Sequence, residues 1–115
     1  MIVNTAIDGE FHILKVCGEV DASNALDLDN EIEGLVLKDI KKILVDCSEM
    51  TYISSAGLGV FMSKIQDFKK KGIHFALFNV SSNVESVFDI LGLNDFIQIS
   101  DTIHDAKEAI NERTN

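Results

Sequence analysis

Short apolar runs recur along the whole chain between polar segments, and the first two have the pattern of paired strands. These β-prone runs extend from Ile2 to Ile7 and from Phe11 to Cys17, with Asp8-Gly9-Glu10 between them. An Asp-Gly pair between two such runs is a strong signal for a β-hairpin. The chain is therefore predicted to open with an antiparallel pair of strands, which Gly18 closes.

Helical spacing begins at Asp21, where apolar residues recur with acidic residues between them. In this predicted first helix they are Ala25, Leu28, Ile32, Leu35 and Val36. A continuous apolar run, Ile43-Leu44-Val45, then ends at Asp46 and is typical of a strand buried on both faces. A second helix follows a short loop, and its apolar positions are Leu58, Phe61, Met62, Ile65 and Phe68. Lysines at 69–71 and then Gly72 predict its end.

The last third of the chain is predicted to add two strands and two helices. Ile73 to Val80 has strand character, and Ser81 or Ser82 then caps a third helix that Gly92 closes. This helix carries Val84, Val87, Phe88 and Leu91. After a short strand, Phe96-Ile97-Gln98-Ile99, Asp101 caps a final helix whose inward positions are Ile103, Ala106, Ala109 and Ile110. Residues 112–115 are expected to form a frayed polar tail.

The predicted order of elements is β-β-α-β-α-β-α-β-α. Alternating strands and helices after an opening hairpin indicate an α/β fold, with a mixed β-sheet packed against amphipathic helices. A chain of 115 residues suffices for one compact domain, and 46% hydrophobic with 25% charged residues is a globular composition. We therefore expect residues 1–115 to form a single domain.

The net charge of the chain limits the classes of partner that it is expected to bind. A formal charge of −9 argues against direct nucleic-acid binding, because affinity for phosphate backbones comes from clustered lysine and arginine. It favours a basic or neutral protein partner, although it serves solubility equally well. The sequence has no basic leader followed by an apolar segment and no run of about 18 apolar residues, so it predicts a cytoplasmic protein without membrane insertion. Cys17 and Cys47 lack CxxC spacing, which predicts buried free thiols and no metal site.

Small residues crowd the point where the second helix begins. They are Ser54, Ser55, Ala56, Gly57 and Gly59. Because the first four N–H groups of a helix lack intrahelical partners, we expect that an anion can be held there. A phosphate on a serine at this point would also face the positive end of the helix. On local chemistry alone, however, the simpler interpretation is that Ser54 or Ser55 only caps the helix.

Several ordered segments resemble the signatures of STAS-domain anti-sigma factor antagonists. Three of them are Gly18-Glu19-Val20-Asp21, Val45-Asp46-Cys47-Ser48 and Tyr52-Ile53-Ser54-Ser55-Ala56-Gly57-Leu58-Gly59. Asn79-Val80-Ser81, followed by Leu91-Gly92-Leu93, is similar to the fourth strand and third helix of that family. The similarity spans nearly the whole chain, and several signatures in order are far more specific than one motif.

The resemblance implies a phosphorylation switch. In that family an anti-sigma factor that is also a serine kinase phosphorylates a serine in an Asp-Ser-Ser/Thr/Ala-Gly-Leu-Gly motif, and so releases itself from the antagonist. Ser55 matches that serine, and Ser54, which replaces the family's aspartate, is a competing phosphoacceptor. Asp21 matches an acidic position near the partner's nucleotide, or caps the first helix, or does both. The partner-binding residues implied are Asp21, Ser54, Ser55, Ala56, Gly57 and Leu58.

The resemblance also implies the partners: an anti-sigma factor serine kinase and a serine phosphatase, with no cofactor.

The sequence separately favours a binding protein without enzymatic activity. A serine hydrolase needs its nucleophile in a Gly-x-Ser-x-Gly elbow, and Ile53 stands where the first glycine would be. Ser55, Asp89 or Asp95, and His104 have the chain order of a catalytic triad, but His104 is predicted on a terminal surface helix.

A third interpretation is another use of the same fold. The chain would then be a STAS-like scaffold subunit of a lipid-transport complex or of a stress-signalling assembly. Such a scaffold needs only the fold, whereas a serine among small residues at a helix start favours the switch. The identity of the cellular partner would discriminate between the two.

Overall fold

The computed structural model describes residues 1–90, 92 and 97–112 in full, together with the backbone of residues 113 and 114. In chain order its elements are β1 Ile2–Asp8, β2 Phe11–Val20, α1 Ala25–Leu37, β3 Lys42–Asp46, β4 Met50–Ile53, α2 Ser55–Lys71, β5 His74–Phe78, α3 Ser82–Ile90, β6 Gln98–Ser100 and α4 Ile103–Thr114. The α/β class and the predicted order of elements are confirmed, and the structure adds one strand, β4. This strand has only four residues and buries only its two ends, so it shows neither alternation nor a continuous apolar run.

The sheet is mixed, as the sequence predicts. Its strands lie in the order β1-β2-β3-β5-β6, and β4 pairs with β2 off this path. Only β1 is antiparallel to its neighbour; the other pairs are parallel. The hairpin turns at Gly9, whose φ of +60° suits glycine because no Cβ is present. The parallel arrangement brings the carboxyl ends of β2 to β6 to one edge of the sheet, where the helices begin.

Helices cover both faces of the sheet. α1, α2 and α3 pack on one face, and the residues buried there include Leu14, Leu28, Val45, Phe61 and Phe88. α4 packs on the other face, where the buried residues are Phe11, Leu44, Ala76, Phe78, Ala106 and Ile110. The predicted central run Ile43-Leu44-Val45 is fully buried because alternate side chains of β3 face the two layers.

The ends of the helices refine the predictions made from sequence. Ser81, rather than Ser82, caps α3, since its hydroxyl accepts a hydrogen bond from a first-turn N–H at 3.3 Å. The predicted cap of α4 at Asp101 is wrong: the Thr102 hydroxyl accepts the first-turn N–H instead, at 3.1 Å. The end of α2 is as predicted, with Gly72 in the left-handed conformation after the lysine run.

The last part of the chain is only partly described. α4 continues through Thr114, so the helix includes residues 112–114 of the expected frayed tail. Leu91, Leu93, Asp95 and Phe96, which the sequence analysis used, lie outside the described residues.

An ionic cluster joins α1 to α2. The side chain of Lys64 on α2 is only 8% exposed, and its ammonium contacts Asp29 at 2.9 Å and also Glu33, both on α1. Burial disfavours the charged ammonium, but the hydrogen bonds to the two carboxylates outweigh burial, so the pKa of Lys64 is raised. The two helices that lead away from the carboxyl edge are therefore tied together by charge as well as by packing.

We predict that Lys64→Met lowers the free energy of unfolding by about 1–3 kcal/mol, because two neighbouring carboxylates lose their shared cation while the apolar stem is kept. Urea denaturation followed by circular dichroism measures this. Lys71→Met is the control, since Lys71 pairs with Asp67 at an exposed position and its loss should cost less than about 0.5 kcal/mol. Equal losses for the two variants would contradict the assigned role of Lys64.

Candidate functional site

The two serines at the start of α2 differ in their hydrogen bonds. Ser54 is the N-cap residue: its hydroxyl oxygen accepts from the Gly57 N–H at 3.3 Å, and its carbonyl accepts from the Leu58 N–H at 2.9 Å. Ser55 is the first residue of the helix and is exposed, and its hydroxyl forms no hydrogen bond with the part of the chain that the structure describes. Ser54 therefore has a structural role, whereas the hydroxyl of Ser55 is accessible.

The anion site expected at this helix start is smaller than the sequence suggested. Of the four N–H groups, that of Ser54 donates to the Val20 carbonyl and that of Gly57 donates to the Ser54 hydroxyl oxygen. The N–H groups of Ser55 and Ala56 have no partner among the described residues. The first turn of α2 carries no acidic side chain, so the positive end of the helix dipole is not compensated there.

Gly57 seats the helix against the sheet. A Cβ atom at this position would lie 2.7 Å from a side-chain carbon of Val20 and 2.8 Å from one of Ile53. Such distances are well below van der Waals contact, so only glycine lets the α2 backbone approach β2 and β4 this closely. Gly59, two residues further along α2, is exposed and has open space above its Cα.

The residues predicted to bind a partner divide into two groups. Ser55 and Ala56 are exposed on the first turn of α2. Gly57 and Leu58 are buried in the interface between helix and sheet, Leu58 to 4% exposure. Burial leaves Gly57 and Leu58 able to act on a partner only by positioning the exposed pair.

Gly18 brings the Asp21 loop beside the start of α2. The first part of β2 pairs with β3, and from Gly18 onward β2 pairs with β4, with an irregular register at this change of partner. Gly18 has a φ of +91°, which a residue with a side chain rarely adopts. Val20 then pairs with Ile53, and the Ser54 N–H donates to the Val20 carbonyl at 2.8 Å. The residues that follow the two strands, Asp21 and Ser54, are thereby held at neighbouring ends.

The loop after β2 has its own hydrogen-bond network. The predicted N-cap role of Asp21 is wrong, because α1 begins at Ala25 and Asn24 occupies the N-cap position. One Asp21 carboxylate oxygen accepts from the Ser23 hydroxyl at 2.5 Å and from the Ser23 N–H at 2.9 Å. The Asn24 side chain accepts from the Asp21 N–H and donates to the Glu19 carbonyl, both at 3.0 Å. Residues 19–24 are thus fixed locally before the helix starts.

This network keeps Asp21 charged. Hydrogen bonds from the hydroxyl and then the N–H of Ser23 lower the pKa of Asp21. A carboxyl group with a lowered pKa in the folded state contributes stability above its ordinary pKa, and this contribution is lost as pH falls through the folded-state value. At neutral pH the carboxylate is ionised, as aspartates ordinarily are, and these hydrogen bonds hold it at the strand end that neighbours the start of α2. Sequence reasoning did not identify Ser23 and Asn24, although a short polar run after a strand is the signal of such a turn.

The geometry does not assemble the catalytic triad considered from sequence. His104 is on α4, which packs on the sheet face opposite α2, and it contacts Glu108 on its own helix. Asp89 is exposed on α3, and Asp95 lies outside the described residues. No cluster of histidine, cysteine and carboxylate residues suited to a metal ion occurs in residues 1–90, 92 and 97–112.

The two cysteines differ in burial, so the prediction of buried thiols holds for only one. Cys47 is buried, and burial raises the pKa of its thiol. Cys17 is partly exposed, and its sulfur lies 3.6 Å from a Glu49 carboxylate oxygen.

Within the described part of the chain, no helix is long and apolar enough to cross a membrane.

We predict opposite effects for two glycine substitutions on α2. Gly57→Ala forces a methyl group against Val20 and Ile53 and should lower the free energy of unfolding by about 1–3 kcal/mol. Gly59→Ala is the matched control, because open space receives the methyl group and the helix gains up to about 1 kcal/mol from the better helix former. Urea denaturation measures both. A Gly57→Ala variant as stable as Gly59→Ala would contradict the proposed close contact.

Comparison with known proteins agrees with this geometry. The model of the STAS domain family matches residues 3–106. An anti-sigma-B factor antagonist of Listeria monocytogenes is 32% identical over 84 residues, which are 73% of this chain and 74% of that protein.

Solved structures show the same fold. The crystal structure of a candidate anti-sigma factor antagonist from Thermotoga maritima superposes with a TM-score of 0.88 at 26% identity, over 95% of this chain and 94% of that one. The antagonist SpoIIAA in its unphosphorylated form superposes with a TM-score of 0.72 at 16% identity, over 99% of both chains. The phosphorylated form, from Bacillus, gives 0.70 at 16%, over 95% of this chain and 99% of that one. The chain therefore belongs to the STAS-domain family, in the group of the anti-sigma factor antagonists.

Proposed function

We propose that this protein is an anti-sigma factor antagonist whose binding is switched by phosphorylation of Ser55. Unphosphorylated, it binds an anti-sigma factor that is also a serine kinase, and thereby frees the sigma factor. Phosphorylation releases the anti-sigma factor, and a serine phosphatase restores the binding form. The antagonist role is supported by the Listeria relative. The observation that carries the switch is the exposed Ser55 hydroxyl beside the Asp21 loop, for which the described part of the chain offers no hydrogen-bond partner.

The hydrogen bonds at the helix start favour Ser55 over Ser54 as phosphoacceptor. The Ser54 hydroxyl is only partly exposed and caps α2 through the Gly57 N–H. A kinase acting on Ser54 would have to open that cap, whose loss costs about 1 kcal/mol. Ser55 requires no such opening.

Phosphorylation is proposed to act by local charge without refolding the antagonist. A phosphate on Ser55 carries a charge of about −1.5 to −2. It would face the N–H groups of Ser55 and Ala56, which have no partner among the residues that the structure describes. The helix that bears it is held by the close contact at Gly57 and by the Lys64 cluster, so the fold tolerates the new charge. SpoIIAA offers a precedent, since its phosphorylated and unphosphorylated forms both share the fold of this chain.

Release follows from the cost of burying the phosphate. A partner docked over the first turn of α2 would have to remove water from a doubly charged group. The negative charge of Asp21 in the neighbouring loop would add to this cost and not offset it. A loss of about 3–4 kcal/mol of binding free energy corresponds to a few hundredfold in affinity, enough to separate the partners.

We further propose that the protein works in the cytoplasm, where a sigma factor and its regulators act, and that it is a binding protein and not an enzyme. The scaffold alternative needs none of the features of the α2 start. Native mass spectrometry of the complex purified from cells identifies the partner: a kinase-type anti-sigma factor supports the switch, and a transporter or stress-signalling subunit supports the scaffold.

We predict that the partner kinase and ATP place one phosphate on Ser55. Ser55→Ala should abolish phosphorylation, whereas Ser54→Ala should weaken the helix cap but keep the phosphorylated site. Tandem mass spectrometry locates the phosphate, and circular dichroism checks that each variant is folded. Phosphate on Ser54, with Ser55→Ala still fully modified, would contradict the assignment.

We predict a graded loss of affinity for the partner across forms of Ser55. Ser55→Ala should bind like the unmodified protein and resist release by ATP. Ser55→Asp should bind more weakly, and phosphorylated Ser55 most weakly, because phosphate carries more charge and more acceptor oxygens than a carboxylate. Isothermal titration calorimetry measures the series. Equal affinity of the phosphorylated and unmodified proteins would refute release.

A further inference from the structure

The β1 strand is an open edge of the sheet without the usual protection. Nearly all of its residues are exposed, and the apolar side chains of Ile2 and Ile7 are 64% and 71% exposed. The stretch from Ile2 to Ile7 contains no charged residue and no proline, although natural edge strands are usually protected by such residues. Its outer backbone N–H and C=O groups are available to another strand.

A cleft of about 560 Å³ lies between this strand and α1. β1 contributes Thr5, Ala6 and Ile7 to its wall, and α1 contributes the face that contains Gly34. A Cβ atom on Gly34 would meet nothing within 4 Å, so no packing within the described chain requires a glycine there. A glycine inside a helix costs about 1 kcal/mol relative to alanine, and the cleft is thus widened at some expense of stability.

Two opposite charges flank Gly34 on the cleft side of α1. Glu31 and Lys38 both line the cleft and are exposed. Neither forms an ion pair with another residue that the structure describes. They lie two helical turns apart, with Gly34 near their midpoint.

We propose that the β1 edge and this cleft pair with a second copy of the chain about a two-fold axis. An axis near Thr5, perpendicular to the sheet, makes the two β1 strands antiparallel and joins the sheets edge to edge. Gly34 lines the same cleft as Thr5, and we place the axis close to both, so that Glu31 of each copy would face Lys38 of the other. A contact of this kind is self-complementary, as a two-fold interface must be. A second copy supplies a charge opposite to each of Glu31 and Lys38, whereas an extended peptide would supply both only if its own sequence matched them.

This interface leaves the Ser55 site free. Lys38 is at the end of α1 remote from the Asp21 loop, a helix of 13 residues away. Each Ser55 site lies at the carboxyl ends of the parallel strands of its own copy. Because the two β1 strands are antiparallel, these ends point in opposite directions in the joined sheet. The dimer therefore presents two separate sites, and the proposal does not depend on the function assigned to them.

The test is sedimentation equilibrium of the chain with no tag ahead of Met1, from about 1 µM to 1 mM. The unmodified protein is expected to show a monomer–dimer equilibrium. Glu31→Lys and Lys38→Glu should each weaken the dimer by about tenfold, because each places like charges together twice. An equimolar mixture of the two variants should form a heterodimer, and the double variant should dimerise like the unmodified protein.

Two charge-matched controls separate this contact from effects of net charge. Glu112→Lys and Lys70→Glu change exposed residues on other elements and should leave the dimer unchanged. Glu31→Lys brings the formal charge from −9 to −7, which on its own would favour association, so a weaker dimer is diagnostic. A monomer at every concentration would overturn the proposal. A dimer that neither reversal weakens, or variants that fail to restore each other on mixing, would also overturn it.

Discussion

At Gly57 the α2 backbone lies so close to the sheet that a single added methyl group would come within 2.7 Å of Val20 and 2.8 Å of Ile53. This approach fixes where the helix begins relative to β2 and β4. It also turns the first helical residue, Ser55, towards solvent while Leu58 enters the core. The position of Ser55, the proposed phosphoacceptor, is therefore set by packing beneath the helix.

Two further features support the site at the carboxyl ends of β2 and β4. The change of partner along β2 at Gly18 aligns the Asp21 loop with the helix start, and the Ser23 hydrogen bonds hold that loop and its charge. Behind the site, Lys64 binds α1 to α2, so the elements that follow the two strands form one unit. A phosphate added at Ser55 meets a prearranged surface, which is why we expect it to alter binding and not folding.

The sequence predicted most of the fold because its helices and central strands have strong periodic patterns. Ile43-Leu44-Val45 has the pattern of a strand buried on both faces, and the Asp-Gly pair indicated the hairpin at Gly9. β4 was missed because its pairing with β2 is a tertiary contact that four residues do not reveal. The caps at Asn24 and Thr102 were misassigned by three residues and by one, since several polar residues precede each helix and only the backbone path selects among them.

The sequence predicted where the candidate site lies, but not which contacts and hydrogen bonds form it. A run of small residues pointed to the α2 start, yet only coordinates distinguish Gly57, which the contact with Val20 requires, from Gly59, which nothing in the fold requires. Likewise, the identity of the capping serine depends on a hydrogen bond from the Gly57 N–H. The Lys64 cluster joins residues far apart in the chain, so no local sequence pattern predicts it.

Two-dimensional amide NMR of the unmodified and phosphorylated proteins shows whether a phosphate on Ser55 is held locally on an unchanged fold. We expect large shifts for the Ser55 and Ala56 amides, which would bind the phosphate, and smaller ones in the adjoining Asp21 loop. Resonances of β3, β5 and the C-terminal half of α2 should remain in place. Shifts spread across the sheet, or loss of the α2 signals, would contradict this expectation.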